Sequence, residues 1–446
     1  MTSNQGQSIL SLSGPDAATA IEEYGQDPLA FMTGCARKYG EIVPIQLEND
    51  LFCLLTNPEH ITQVLRDRQL FVKAEDMELL KTLLGNGLLT SEGSFWQRQR
   101  RLAQPIFHQR RINGYGETMV EYTQRMLENW KAEDTLDIHQ EMMHLTLNIV
   151  MKTIFNQDIA GGDAGNVAQA VEEAMNWFVE KTNSLLAGDE TKTPADKRYE
   201  DAIVLLDETV YAMIEHRRET GEYGNDLLGM LMKVEDADDG SRMTNRQLRD
   251  EVATLIVAGH ETTANTLSWA WMLLGENPDI RAKLDEELKA VLQGNAPTIE
   301  DLQRLPYTTM VIKEALRLYP TVTDLSRQAT EDCEIGGYSI PKGTTLNISQ
   351  WVMHHDSRYF TNPEVFNPER WANDFEKTLP RGVYFPFGDG PRVCIGKSFA
   401  MMEAVLLLAT IAQSFHLELV PNQVIEKQPS VTLRPKTGIQ VVLKSV

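Results

Sequence analysis

The sequence predicts a mainly helical protein with a minor β portion, and three observations carry that prediction. From Pro58 to about Met232 apolar residues recur at three- and four-residue spacing, as in "HITQVLRDRQLF", "YTQRMLENW" and "AIVLLDETVYAMIEHRR". A longer periodic run then extends from "MTNRQL" to "GENP" without a break. Finally the period drops to two in "CEIGGYSIPKGTTLNISQWV", where Gly336, Gly337, Pro341 and Gly343 punctuate short strands.

Taken in order, residues 1–14 lack periodicity and are expected to be flexible. "EIVPIQL" and "LFCLLT" flank "END" as a hairpin, with Cys53 as a small buried hydrophobe in its second strand. Within the helical stretch, "AGDETKTPADKRYE" (residues 187–200) is polar and reads as an exposed loop or lid edge. Thr244 with Gln247 three residues on fits a capping box, and the apolar pattern continues from Leu248 to Leu274. About 30 residues at 1.5 Å each span roughly 45 Å, so this helix should cross the core. "IRAKLDEELKAVLQ" and "YTTMVIKEALRLYP" are helical, the second ended by Pro320. "VYFPFGDGPRVCIG" is a loop, the apolar run after it a helix, and "FHLELV" and "GIQVVLKSV" are closing strands. No repeat or Pro/Gly/Ser linker divides the chain, so one domain over residues 1–446 is expected.

Forty-two Lys and Arg against 64 Asp and Glu leave a formal net charge of −22, which argues against a broad nucleic-acid surface. The opening residues lack a basic n-region and an apolar core, and no apolar run approaches the roughly 18 residues of a membrane span. A cytoplasmic, monomeric protein without an integral membrane anchor is therefore expected. The four cysteines, Cys35, Cys53, Cys333 and Cys394, form no C-x-x-C pair, which disfavours a disulfide framework or an all-cysteine zinc site.

Cys394 stands apart. Gly388, Gly390 and Gly396 allow close backbone approach, Pro386 and Pro391 stiffen the loop, and a helix start beside the thiol favours its thiolate. A nucleophile needs a positioned base, and a redox thiol needs a resolving cysteine that is absent nearby. Axial ligation of haem iron requires neither, while a buried structural cysteine stays open on local grounds. The spacing F-x-x-G-x-R-x-C-x-G, formed by Phe387, Gly390, Arg392, Cys394 and Gly396, resembles the haem-ligand loop of the cytochrome P450 family.

Further motifs extend that resemblance in family order. "EALR" places Glu314 and Arg317 on one helix face, and "FNPERW" supplies Arg370; the resemblance implies a structural triad behind the haem. "AGHETT" breaks an apolar helix with polar groups, which costs stability unless a cavity or ligand lies alongside. It is similar to the family's oxygen-activation motif, implying that Gly259 admits O2, Thr262 hydrogen-bonds the oxygen and Glu261 relays protons. Trp96 and Arg100 match W-x-x-x-R, implying haem propionate donors, with Arg392 and Arg327 as further partners; a surface role for Arg327 stays open. His260, His354 and His355 have no metal-ligand spacing and read as structural. Five arginines without a carboxylate in residues 96–111 read either as a solvated helix face with propionate contacts or as a docking patch for an acidic electron donor.

The resemblance implies a P450 fold with the long helix over a haem, and a haem-thiolate monooxygenase using haem b (iron protoporphyrin IX) and O2. Only 52 residues follow Cys394, too few for a reductase module. Electrons are thus expected from a separate ferredoxin or flavodoxin with its reductase, so that NAD(P)H acts only indirectly. The substrate is expected to be lipophilic, a fatty acid first and a terpenoid or steroid second. Met77, Leu80, Leu84, Phe178, Ala258 and Val322 are expected to line its pocket. The alternative is a haem-thiolate ligand-binding or sensor protein without turnover.

Overall fold

Contacts in the computed structural model group the chain into two compact units, residues 1–78 with 313–394 and residues 79–312 with 395–446. The structure describes residues 7–47, 50–74, 77–156, 158, 163–186, 193–236, 238 and 240–446.

The first unit holds the sheets expected from the period-two pattern. Its five-stranded sheet runs in the order Ile42–Leu47, Asp50–Leu55, Thr345–Ser349, Asp324–Ala329, Phe71–Lys73. Only the second and third of these strands pair in parallel. The expected hairpin is therefore present, and alternation sends Val43, Ile45 and Leu54 into a cluster with Ala20, Phe31, Met32 and Cys35. Cys53 is fully buried, and burial pushes its thiol up to about 12. In a second sheet, Cys333–Ile335 and Tyr338–Ile340 are joined by Gly336 and Gly337, both at positive φ (59° and 84°), the conformation a two-residue hairpin turn demands. Part of the stretch 1–14, expected to be flexible, makes specific contacts. Gln7 and Ser8 pair in parallel with Tyr338 and Ser339, and Ile9 is fully buried; residues 1–6 lie outside the described residues.

The second unit is built around the helix Asn245–Glu276, 32 residues long, with the Thr244–Gln247 capping box in place. Helices Ile138–Phe155 and Lys397–Ala412 pack on it. From Met402 to Ala412 every residue of the latter is buried, Glu403 included. Helices Asp163–Leu186 and Pro194–Thr220 pack against each other. The predicted loop at 187–200 is shorter than its composition suggests. Residues 194–200 are the first turns of a helix opened by Pro194 and by a capping box between Thr193 and Asp196, so their polarity belongs to a helix start. Residues 187–192 lie outside the described residues. The closing strands Phe415–Leu419 and Gln440–Ser445 form a sheet with Thr135–Asp137, and Lys427–Pro429 pairs with Leu433–Pro435 as a small hairpin. Among the described residues, no helix is long and apolar enough to cross a membrane.

Candidate active site

In the first unit the sequence-predicted triad assembles around one carboxylate. Glu314 and Arg317 are fully buried and joined by two bonds, Nε to Oε2 at 3.0 Å and Nη2 to Oε1 at 2.9 Å. Arg370 Nε reaches Glu314 Oε1 at 3.3 Å, the Asn367 amide donates to the same oxygen at 3.2 Å, and Trp371 Nε1 donates to Oε2 at 2.8 Å. Arg317 spends its remaining N–H groups on the carbonyls of His354 (2.9 Å), Pro363 (2.6 Å) and Val365 (3.3 Å). Buried charges persist only when paired and hydrogen-bonded, and both conditions are met here.

That network leads to the cysteine loop. Burial holds the His354 imidazole well below its ordinary range, so it is neutral, and its Nε2 accepts the Phe385 N–H at 3.1 Å. Phe385 opens the loop, its carbonyl accepts the Gly388 amide at 2.8 Å, and the Cys394 amide donates to the Phe387 carbonyl at 2.9 Å. Gly390 sits at φ 70°, and a Cβ there would stand 2.3 Å from the Leu65 carbonyl oxygen, so only glycine fits. Cys394 is exposed, whereas Cys35 and Cys53 are buried and Cys333 is half-buried. Phe387 and Arg392 are half-buried, and Arg327 is buried on strand Asp324–Ala329.

In the second unit the long helix is buried on nearly all sides but not along one flank. Leu255, Gly259 and Thr262 are half-buried and Ala258 is exposed, a stripe at three- and four-residue spacing. The Thr262 hydroxyl donates to the Ala258 carbonyl at 2.7 Å, which leaves its oxygen able to accept. Glu261 is buried (3% exposed) and points elsewhere. Its Oε1 accepts from the Thr432 hydroxyl at 2.7 Å, and its Oε2 is buried without a hydrogen-bond partner among the described residues. Burial raises the Glu261 carboxyl, opposed by the Thr432 bond and by the charge of Arg434. His260 is buried and held at about 4, in keeping with a structural role.

Trp96 is buried and Arg100 half-buried, one turn apart on helix Gly93–Ala103. Gly396 precedes helix Lys397–Ala412 as its N-cap. The arginine-rich stretch is less open than its sequence suggests. Arg98 and Arg101 both pair with Asp236, at 2.9 and 2.6 Å, and Arg101 also reaches Asp238 at 2.8 Å. Among the described residues Arg98 and Arg101 are thus answered within the chain, which weakens the docking reading. Of the expected pocket residues, Met77 and Val322 are half-buried and Leu80 and Leu84 are buried. Phe178 packs edge-on against Trp177 and Tyr199, with ring centres 5.1 and 5.8 Å away.

A family profile described as cytochrome P450 matches residues 18–443. The chain belongs to the cytochrome P450 family. It is 36% identical to cyclooctatin synthase of Streptomyces melanosporofaciens, over 91% of this chain and 89% of that protein. It is 34% identical to cyclooctat-9-en-7-ol 5-monooxygenase of the same organism, over 89% and 86%. It is 31% identical to pentalenene oxygenase of Streptomyces avermitilis, over 89% and 88%. The crystal structure of the cytochrome P450DA haem domain superposes with a TM-score of 0.89 at 27% identity, covering 97% of each chain. This P450 is therefore a monooxygenase of a family that uses haem iron and O2, and its fold matches the expectation. Its residues fit a haem, since the one exposed cysteine sits on the glycine-bearing loop.

Several groups around these residues carry no sequence signal. Thr432 lies 171 positions from Glu261 and His354 31 from Phe385, separations that no local spacing reports. Trp371 is within reach of sequence reasoning, because it directly follows Arg370 in "FNPERW".

Proposed function

We propose that this P450 inserts one oxygen atom into a lipophilic substrate, a terpenoid ahead of a fatty acid, with haem b held by the thiolate of Cys394. The observation that carries the ligand assignment is the exposed Cys394 on a loop pinned at Phe385, Gly390 and Phe387. Support for a terpenoid comes from the relatives, two of which are named for oxidising cyclooctat-9-en-7-ol and pentalenene. When bound, the haem would supply O2 activation, with the Cys394 thiolate holding it and donating electron density to it.

The chain's own residues do the rest. Trp96, Arg100, Arg327 and Arg392 offer N–H donors of the kind that bind propionates, while Phe387 and Gly396 flank the ligand loop. Gly259 keeps the helix flank open, Thr262 accepts and orients a hydrogen bond there, and Glu261 holds a proton for delivery. Ala258, Met77, Leu80, Leu84, Phe178 and Val322 supply apolar contact to the substrate. Electrons come from a separate ferredoxin or flavodoxin, and NAD(P)H acts through that partner's reductase.

The reduced CO complex tests the ligand. The wild type should give the strongly red-shifted Soret band of thiolate-ligated haem and Cys394→Ser should not; the same band in both removes Cys394 from the role. Titration with cyclic terpenoids and with fatty acids, followed by the haem spin state, tests the substrate. A response to fatty acids alone would put the fatty acid ahead of the terpenoid.

A further inference from the structure

The surroundings of Glu261 contain a polarity that fixes where its proton can reside. The Thr432 hydroxyl oxygen lies 2.7 Å from Glu261 Oε1 and 3.0 Å from Asn265 Nδ2. An amide nitrogen can only donate, so the Asn265 N–H is given to the Thr432 oxygen. A hydroxyl has one hydrogen, and with Asn265 as donor that hydrogen is left for Glu261 Oε1. The reverse amide orientation would set the Asn265 carbonyl and an unprotonated Oε1 against a single hydrogen. All three side chains are buried, so water does not compete for these bonds in bulk fashion.

We infer that Thr432, on the hairpin Lys427–Pro429/Leu433–Pro435, is a positioning residue for the proton relay, pinning Glu261 Oε1 and leaving Oε2 as the one oxygen that exchanges the proton. The inference rests on the reading of Glu261 as a relay. Oε1 accepts from Thr432 whether the carboxyl is protonated or ionised, so the bond does not need to break during transfer. The O–H bond at Oε2 breaks as the proton passes to a water, and Oε2 later regains a proton from water; Thr432 keeps its own hydrogen throughout. Oε2 suits this role because it is buried without a hydrogen-bond partner among the described residues, a state that an ordered water resolves. Without Thr432 the carboxyl is free to rotate, and its acidic oxygen is no longer held in one place.

The test uses the holoenzyme with Thr432→Val, which is nearly isosteric but cannot donate, and Thr432→Ser, which restores the donor. The first readout is the C=O stretch of the protonated Glu261 carboxyl in infrared difference spectra, assigned by its absence in Glu261→Gln. Thr432→Val should move that band to higher frequency, because the carbonyl oxygen loses its donor, and Thr432→Ser should move it back. The second readout is peroxide released per reductant consumed, which Thr432→Val should raise about fivefold, the effect of one lost hydrogen bond. An unmoved band or wild-type coupling in Thr432→Val overturns the inference, as does failure of Thr432→Ser to restore both. Wild-type coupling in Glu261→Gln overturns the relay reading itself, whatever Thr432 does. Should Thr432→Val lose the red-shifted CO band, Thr432→Ala carries the same expectations.

Discussion

Replacing Arg317 by methionine keeps most of the side-chain volume and removes the cation, and the structure sets the size of the loss. Glu314 keeps Arg370 at 3.3 Å, Trp371 and the Asn367 amide, so its charge is not left bare. It still loses two bonds of 2.9 and 3.0 Å, and the carbonyls of His354, Pro363 and Val365 lose their donor together. Breaking a buried ion pair from one side typically costs about 3–5 kcal/mol. With one buried and two part-buried acceptors added, the loss falls within that range, against a total folding stability of roughly 5–15 kcal/mol. Urea titration of the holoenzyme, followed by far-UV circular dichroism and by the Soret band, measures it. Arg317→Lys should recover little, because a point charge cannot serve Glu314 bidentately and three carbonyls at once. Lys377→Met, which breaks an exposed pair with Asp374, is the control and should leave the midpoint unmoved. A loss below about 1 kcal/mol in Arg317→Met, the level of exposed pairs, would refute the argument that burial gives this network its weight.

Burial pushes the Glu403 carboxyl from an ordinary 4.5 up to about 8, and neither of its oxygens reaches hydrogen-bond geometry among the described residues, although Thr263 lies near enough to offset a little of the shift. The native state therefore keeps a proton that the unfolded chain sheds above pH 4.5, so stability is fully present below that pH and drains away as pH rises to 8. Glu403→Gln should match the wild type near pH 4 and exceed it by about 3 kcal/mol at pH 7; parallel urea midpoints at both pH values would contradict this. Gly390→Ala forces a left-handed conformation and a 2.3 Å contact with the Leu65 carbonyl, so it should cost at least about 1–3 kcal/mol and lower the haem content of purified protein, read from the ratio of Soret to protein absorbance. Thr262→Ala removes the hydroxyl on the open flank of the long helix and should divert reductant from product to peroxide; product per reductant equal to wild type would remove Thr262 from oxygen handling.

The parts of this molecule that can be read from its sequence are those whose physics is local. Thr244 and Gln247 announce a helix start because a capping box closes over three residues, and Glu314 and Arg317 announce a pair because one turn brings them together. Local chemistry misleads at residues 194–200, where a polar run looks like a loop. Asp196 is polar there because it caps a helix. Charge misleads at Arg98 and Arg101, since Asp236 lies 135 positions from Arg101 in sequence and beside it in the fold. Thr432 is illegible for the same reason, being a threonine in a hairpin turn that acquires meaning only against Glu261. The sequence alone ranks a terpenoid second, because apolar residues expected at a pocket do not distinguish one lipophile from another, and the proposal of a terpenoid first rests on the names of two relatives.

Five N–H donors converge on the two oxygens of Glu314. A carboxylate has about four lone-pair sites, so the position is saturated. Aspartate falls one methylene short of the same donors, and glutamine would turn its own N–H group towards them. No remaining side chain offers two acceptor oxygens at that reach. In a library holding all twenty amino acids at each site, position 314 should return one letter, while the uncovered Ala258 should accept many and change what the enzyme oxidises. The permitted alphabet is narrowest behind the loop that carries Cys394 and widest on the helix flank, which tells a designer where to spend diversity.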